Sequence, residues 1–431
     1  MQKLAVSIGE GGVQTMLDAM DPGGWVRDIR PIKYGAVSGE IGVISNPQVR
    51  VQTKAGVGPG LIAVGGDVMA VSGLPLRQNP APFSNVASAI DDLKTCDGAF
   101  AAVIWDATAG CLSIVMDFMG FQPLYTQKTE TGFRAATETK AFHYRPNAAG
   151  WGAFLTCGHM LERVTLLEGV ELAPGGHVIT YDAAGGSISE ERHWNWPQPG
   201  KTHHVDYADA MAPLRANMED YLAIEPGAIC LLSGGFDSRL ILFMLKDFGI
   251  TPDALIMTHK DEYNDCDGRL AVALAKATNT PYRIVDPDLD FFSKPDFLDF
   301  VWANEGATPS LYLFIAQLMQ YVDPPAVWEG LIPAHTLRTV HQPPGGFDGF
   351  RTKEAQGQDG KMHKAARAIF RTERYEEMVQ SFEAAWQRSK AHLDQDDEGM
   401  WRWVAENRMR NRTGVNPFKA YANRTAPFVL G

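Results

Sequence analysis

Up to about residue 190, short apolar runs alternate with turns rich in Gly, Asp and Asn. That texture predicts strands, among them residues 61–64, 99–105, 112–116 and 178–181, the last followed by an Asp182-Ala-Ala-Gly-Gly186 turn. Beyond Pro197-Gln-Pro-Gly200, which reads as a linker, the pattern changes to long helical periods separated by short apolar strands. Helices are expected over 207–223, 239–248 and 267–277, and strands over 228–232 and 254–258. Gly249 is placed to end the middle helix because it tolerates positive φ. Alternation of this kind predicts a parallel α/β sheet. Residues 361–412 read as strongly helical and charged, interrupted near Asp394-Gln-Asp-Asp397. The division expected is two domains, 1–195 and 196–431.

Length and composition agree with that division. A chain of 431 residues is too long for one ordinary core, and 45% hydrophobic with 21% charged residues fits a globular protein. The net charge of −12 gives no long-range attraction for a polyanion, so no nucleic-acid partner is expected. Cys96, Cys111, Cys157, Cys230 and Cys266 lie far apart, which argues against both a zinc ribbon and a disulfide framework. The first residues carry too short an apolar run for a signal peptide, and no segment approaches the ~20 apolar residues of a membrane span. The expectation is a cytoplasmic enzyme with no membrane partner.

One segment carries chemistry. Ser233-Gly-Gly-Phe-Asp-Ser238 falls between the first predicted α/β strand and its helix. Two glycines let backbone approach a phosphate, the serines add hydroxyls, and a helix N-terminus turns N–H groups and partial positive charge toward an anion. Asp237 suits a Mg²⁺ held on those phosphates, since hard cations take oxygen ligands. The bland alternative, a turn that merely joins strand to helix, fits a bare Gly-Gly better than it fits all six positions. The other common phosphate cradle is absent, because Gly200-Lys-Thr202 lacks the upstream glycine and a preceding strand.

The six-residue segment resembles the pyrophosphatase loop of the asparagine synthetase family. Further segments resemble that family in its order. Asp97-Gly-Ala-Phe-Ala101, Asp106, Asp117-Phe-Met-Gly-Phe-Gln-Pro-Leu-Tyr125, Thr137-Glu-Thr-Lys140, Leu172-Ala-Pro-Gly175 and Arg192-His-Trp194 resemble its amidotransferase domain. Asn304-Glu-Gly-Ala-Thr-Pro-Ser-Leu-Tyr312 resembles a helix start of its synthetase domain, and Arg424-Thr-Ala-Pro-Phe428 a later Arg-x-Pro-Phe segment. The resemblance implies an Ntn-hydrolase-like α+β antiparallel sandwich with flanking helices, followed by an α/β PP-loop synthetase domain. It also implies that Leu232, Ser233, Gly234, Gly235, Asp237 and Ser238 bind ATP and Mg²⁺, with Met257 and Thr258 against the adenine and Gly330 in a second loop. Asp267 is read first as an exposed carboxylate favoured by a helix dipole, and only second as a ligand.

The chain departs from the family in three ways. Gln2 stands where glutamine-dependent members expose a nucleophilic cysteine, so no release of ammonia from glutamine is expected. That loss is shared with β-lactam synthetases and the macrolactam-forming cyclases of lasso peptides. The second loop reads Val327-Trp-Glu-Gly-Leu-Ile-Pro-Ala-His335, with Ala334 and His335 in place of an acidic pair. Glu329 or Asp348 is the candidate replacement ligand, and His335 and His341 are candidate bases. The chain also ends soon after the Pro-Phe segment, so Lys353, Lys361 and Lys364 become stand-ins for a catalytic lysine. Arg408, Arg410 and Arg412 read as a solvated basic helix face, or else as a contact for phosphate or a peptide carboxylate. The function expected is an ATP-dependent amide ligase whose substrate, a small molecule or peptide, brings both carboxylate and amine. In the macrolactam version the partners are a precursor peptide and a leader protease. The alternatives are a non-catalytic nucleotide- or peptide-binding homologue and an ammonia-dependent asparagine synthetase.

Overall fold

The computed structural model describes residues 2–9, 11–47, 49, 60–76, 82–196, 206–258, 265–305, 316–322, 326–330, 344–355, 361–421 and 426–429. The linker at 197–200 lies outside them.

Two six-stranded antiparallel sheets form the N-terminal half. In chain order the strands are β1 (Gln2–Ile8), β2 (Val26–Tyr34), β3 (Val37–Ser45), β4 (Gly60–Val64), β5 (Asp67–Leu76), β6 (Asp97–Asp106), β7 (Cys111–Met116), β8 (Tyr125–Lys128), β9 (Phe133–Ala136), β10 (Glu171–Leu172), β11 (His177–Asp182) and β12 (Ser187–Arg192). One sheet runs β10-β8-β9-β1-β3-β2, the other β12-β11-β7-β6-β5-β4. Period-two alternation decides what each face meets. Leu4 and Val6 of β1 meet Val103 and Trp105 of β6 between the sheets. On the outer faces, Ala5 packs under helix α1 (Val13–Met20) and Phe100 and Ile104 under helix α2 (Val86–Leu93). The layers therefore run helix, sheet, sheet, helix, which is why β6 is apolar at nearly every position.

A five-stranded sheet of order β15-β14-β13-β16-β17 follows, every pair parallel. Its strands are β13 (Ile229–Leu231), β14 (Ala254–Met257), β15 (Tyr282–Val285), β16 (Ala326–Glu329) and β17 (Ala426–Val429). Helices α3 (Ala148–Cys157), α4 (Tyr207–Ile224), α5 (Phe236–Asp247), α6 (Cys266–Ala277) and α7 (Pro295–Asn304) precede a C-terminal helical group. Gly249 closes α5 with φ +76°. The Pro-Phe segment falls in β17, with Phe428 level with Trp328 of β16. Asn304 ends α7 and Glu305 takes the left-handed conformation at φ +58°, while the rest of the segment read as a helix start, 306–312, lies outside the described residues.

The C-terminal helical group comprises α8 (Gly346–Ala355), α9 (Lys361–Ile369), α10 (Thr372–Lys390), α11 (Asp397–Trp403), a wide π-turn segment (Val404–Gly414) and α12 (Val415–Ala420). It packs back onto the sandwich: Phe382 and Trp386 of α10 share a cluster with Ala153 and Cys157 of α3. Elsewhere the two halves share another apolar cluster, in which Leu74, Leu76 and Phe121 meet Met211, Tyr221, Trp328 and Phe428. A buried polar knot joins the same halves. One oxygen of Glu305 accepts from the Thr139 hydroxyl at 2.7 Å and the Lys140 N–H at 2.8 Å, while the other meets Lys419 of α12 at 2.6 Å. Burial opposes ionisation of Glu305, but Lys419 and Lys140 outweigh it and hold the carboxyl down at about 2.

Candidate nucleotide site

The parallel sheet places the candidate loop. Its connections run outward on both sides of β13, so the chain reverses winding between β13 and β16. In open α/β sheets that switch point, at the carboxyl ends of the strands, is where a crevice forms. Leu232–Gly235 leave β13 there and enter α5. The helix starts at Phe236, three residues before the expected start, so Asp237 and Ser238 lie in its first turn.

The loop is folded on its own polar groups. The Ser238 hydroxyl, in a buried side chain, accepts the Ser233 N–H at 3.1 Å and lies 2.9 Å from the Ser233 hydroxyl. The Gly235 N–H donates to Ser233 Oγ at 3.2 Å. The Gly234 N–H donates at 3.0 Å to the carboxylate of Asp267, in the first turn of α6. The dipole reading of Asp267 therefore omits its main contact: its carboxylate occupies a loop donor as a phosphate oxygen would. Arg239, one residue past the motif, was not among the expected residues. Its guanidinium donates to the Gly234 carbonyl at 2.9 Å, stacks 5.0 Å from the Phe236 ring and leaves Nε buried without a partner. The signal available in sequence was a cation placed directly after the loop.

The remaining expected residues flank this loop. Ile229 and Cys230 pair with Val327 and Trp328, and Gly330 follows just past the end of β16. A Cβ on Gly330 would lie 2.9 Å from the Ser238 nitrogen and 3.1 Å from its Cα, so only glycine lets the end of β16 close against the start of α5. On the other side, Met257 ends β14 half-buried, and the Thr258 hydroxyl donates to Asp286, just past β15, at 2.7 Å. Leu232 is buried beneath the loop. The loop is thus flanked by the ends of β13, β14, β15 and β16.

Several stand-ins are placed elsewhere. Glu329 is buried and accepts the Tyr421 hydroxyl, and with burial it pushes the neighbouring Cys230 thiol up to about 12. Asp348 lies at the start of α8, 3.6 Å from Lys390. That helix packs on α3 of the sandwich through Phe347 and Phe350. Lys364 is exposed on α9, which also rests on α3. Ala334, His335 and His341 lie outside the described residues, as do the side chains of Lys353 and Lys361. Among the described residues, no three His, Cys, Asp or Glu side chains cluster to hold a metal ion unaided. A Mg²⁺ at Asp237 would therefore need phosphate oxygens to complete its shell. No helix among the described residues is long and apolar enough to cross a membrane.

In the sandwich, β1 begins at Gln2, whose carbonyl accepts the buried Ser72 hydroxyl at 2.7 Å. None of the five cysteines stands there. Cys96 is buried beneath α2 with its thiol on the Asp92 carbonyl, Cys157 and Cys230 are buried, and Cys111 and Cys266 begin β7 and α6.

Comparison with known proteins places the sandwich. Residues 88–194, from α2 to just past β12, match the family model of the glutamine amidotransferase domain. The N-terminal half is therefore an amidotransferase-like domain, here without a cysteine at the head of β1. No curated protein matches the chain. Solved structures similar to it include the glutamine phosphoribosylpyrophosphate amidotransferase from B. subtilis complexed with ADP and GMP. That likeness has 12% identity and a TM-score of 0.28, covering 68% of this chain and 70% of the other. Another, described as the allosteric regulatory enzyme of purine biosynthesis, has 13% identity and a TM-score of 0.29 over the same shares. At these values the likeness assigns neither fold nor activity.

Proposed function

We propose that the chain is an ATP-dependent amide-forming ligase that takes its amine from the substrate or from free ammonia rather than from glutamine. The observation that carries this reading is the Ser233–Ser238 loop at the switch point of a parallel sheet, with Gly330 closed against its helix start. Leu232, Ser233, Gly234, Gly235 and Ser238 form the phosphate cradle, Asp237 seats Mg²⁺, and Met257 and Thr258 border the base. Mg²⁺, when bound, neutralises phosphate charge. In the reaction a carboxylate oxygen attacks the α-phosphorus of ATP and pyrophosphate leaves. An amine then attacks the acyl carbon, loses a proton and displaces AMP. The missing N-terminal cysteine fits a substrate that carries its own amine, and closure of a peptide macrolactam on a precursor trimmed by a leader protease is the sharpest version.

The test is ATP–pyrophosphate exchange in the presence of peptide and amino-acid carboxylates. Exchange that disappears in Asp237→Ala supports the ligase, whereas no exchange with any carboxylate removes it. A second reading, a non-catalytic nucleotide- or peptide-binding homologue, is favoured by one specific observation: the Ser233, Gly234 and Gly235 N–H groups already hold internal acceptors. Thermal stabilisation by Mg·ATP without pyrophosphate exchange or product would select it. Ammonia-dependent asparagine synthesis ranks below the first reading and is tested by assaying asparagine in ammonium salts.

A further inference from the structure

Between the sandwich and the π-turn segment lies a cavity of about 190 Å³ that the ATP reading does not use. Its floor holds Arg410. The expected basic face at residues 408–412 is not uniformly solvated: Arg410 is 6% exposed, donates to the Ala173 carbonyl and leaves its Nε buried with no partner. The acid that most offsets its charge, Asp117, is committed to the N–H groups of Phe100, Met119, Phe121 and Gln122. A guanidinium taken from water without a carboxylate on it is costly, and a planar oxyanion is the group that suits its fork.

Two further features line the same cavity. Glu162 sits in the left-handed region at φ +50°, held there by its N–H on the buried Asn407 side chain at 2.8 Å. A glutamate in that conformation is a strained residue kept in place by its surroundings. Its carboxylate has Arg388 at 3.6 Å as a loose partner. An aromatic wall completes the site: Phe118 stacks on Trp194 at 5.8 Å, and Trp196 abuts Trp194 at 4.8 Å. Arg163 and Arg192 also line the cavity, Arg163 already held by Glu171 and Glu190, and Glu406 is paired with Arg402, which leaves Glu162 as the loosely partnered carboxylate opposite Arg410.

We propose that this cavity binds a free aromatic amino acid as its zwitterion, the α-carboxylate on Arg410, the α-ammonium toward Glu162 and the ring against Trp194 and Phe118. The proposal is independent of the ATP reading. Because the lining comes from both halves of the chain, the bound amino acid bridges the amidotransferase-like domain and the C-terminal helices.

Calorimetric titration of the full chain tests it with L-phenylalanine, N-acetyl-L-phenylalanine and L-phenylalaninamide. The expected order is tightest binding of L-phenylalanine, with a loss of about tenfold on removing either charged group. Arg410→Lys weakens the two carboxylates and leaves the amide unchanged. Glu162→Gln abolishes the preference for L-phenylalanine over its N-acetyl form, a selectivity change that loss of packing does not produce. Circular dichroism establishes that both variants are folded. No binding of L-phenylalanine in the millimolar range, or equal binding to wild type and both folded variants, overturns the proposal. Tighter binding of inorganic phosphate than of L-phenylalanine overturns it as well.

Discussion

Gly330→Ala probes the closure between the end of β16 and the start of α5 on which the candidate site depends. The added methyl would sit 2.9 Å from the Ser238 nitrogen, 3.1 Å from its Cα and 3.2 Å from the Asp237 carbonyl carbon. Ordinary carbon contacts lie near ~3.5–4.0 Å, so the overlap is roughly half an ångström. All three atoms are backbone at a helix start, and none can rotate aside. Overpacking of this kind costs about 1–3 kcal/mol. For a domain of this size each kcal/mol lowers Tm by roughly 2–4 °C, so a fall of roughly 2–12 °C is expected in differential scanning calorimetry. The same push moves the start of α5 away from β16, and Mg·ATP affinity by calorimetric titration should fall about tenfold, or ~1.4 kcal/mol. A variant with unchanged Tm and unchanged nucleotide affinity would refute the close approach and the role assigned to Gly330.

Further predictions concern other sites. Asp267→Ala frees the Gly234 N–H of its internal carboxylate and should tighten Mg·ATP binding by about 1 kcal/mol, roughly fivefold, in equilibrium titration; weaker binding would recast Asp267 as a ligand. Lys419→Met leaves the Glu305 carboxylate buried without its direct ion-pair partner, only the more loosely placed Lys140 and Lys3 offsetting it, and should cost about 3–5 kcal/mol in urea unfolding, and a loss under 1 kcal/mol would contradict the knot at the domain junction. Because the Glu305 carboxyl is depressed from 4.5 to about 2 in the folded state, its contribution is fully present above pH 4.5. That contribution is lost as pH falls toward 2, so the stability difference between wild type and Glu305→Gln should shrink across that window. Incubation with glutamine should release no ammonia, since no cysteine heads β1; ammonia release that survives Cys96→Ser and Cys266→Ser would show an unforeseen nucleophile.

The parts of this molecule legible in the sequence are those written locally. The loop at residues 233–238 could be read because its six positions, the strand before it and the helix after it are contiguous, and Gly249 marked the helix end by its need for positive φ. Strands of the sandwich such as β4, β6 and β7 were legible as short apolar runs bounded by turns rich in Gly, Asp and Asn. What sequence could not supply was pairing at a distance. Nothing local to Glu329 shows that Tyr421 caps its carboxylate, and nothing local to Asp267 shows that Gly234 lies within its reach. Arg410 was misread for the same reason, because its burial depends on residues 118–119 and 173–175, more than two hundred positions away. The helical group after residue 344 was recognised as helical, while its docking on α3 of the first domain depends on apolar contacts between distant segments.

The central claim is tested most directly by the structure of the chain bound to a non-hydrolysable ATP analogue with Mg²⁺. The account predicts phosphate oxygens on the N–H groups of residues 233–235, a cation at Asp237 and the Asp267 carboxylate displaced from Gly234. An analogue bound away from the end of β13, with Asp267 still on the Gly234 N–H, would contradict it.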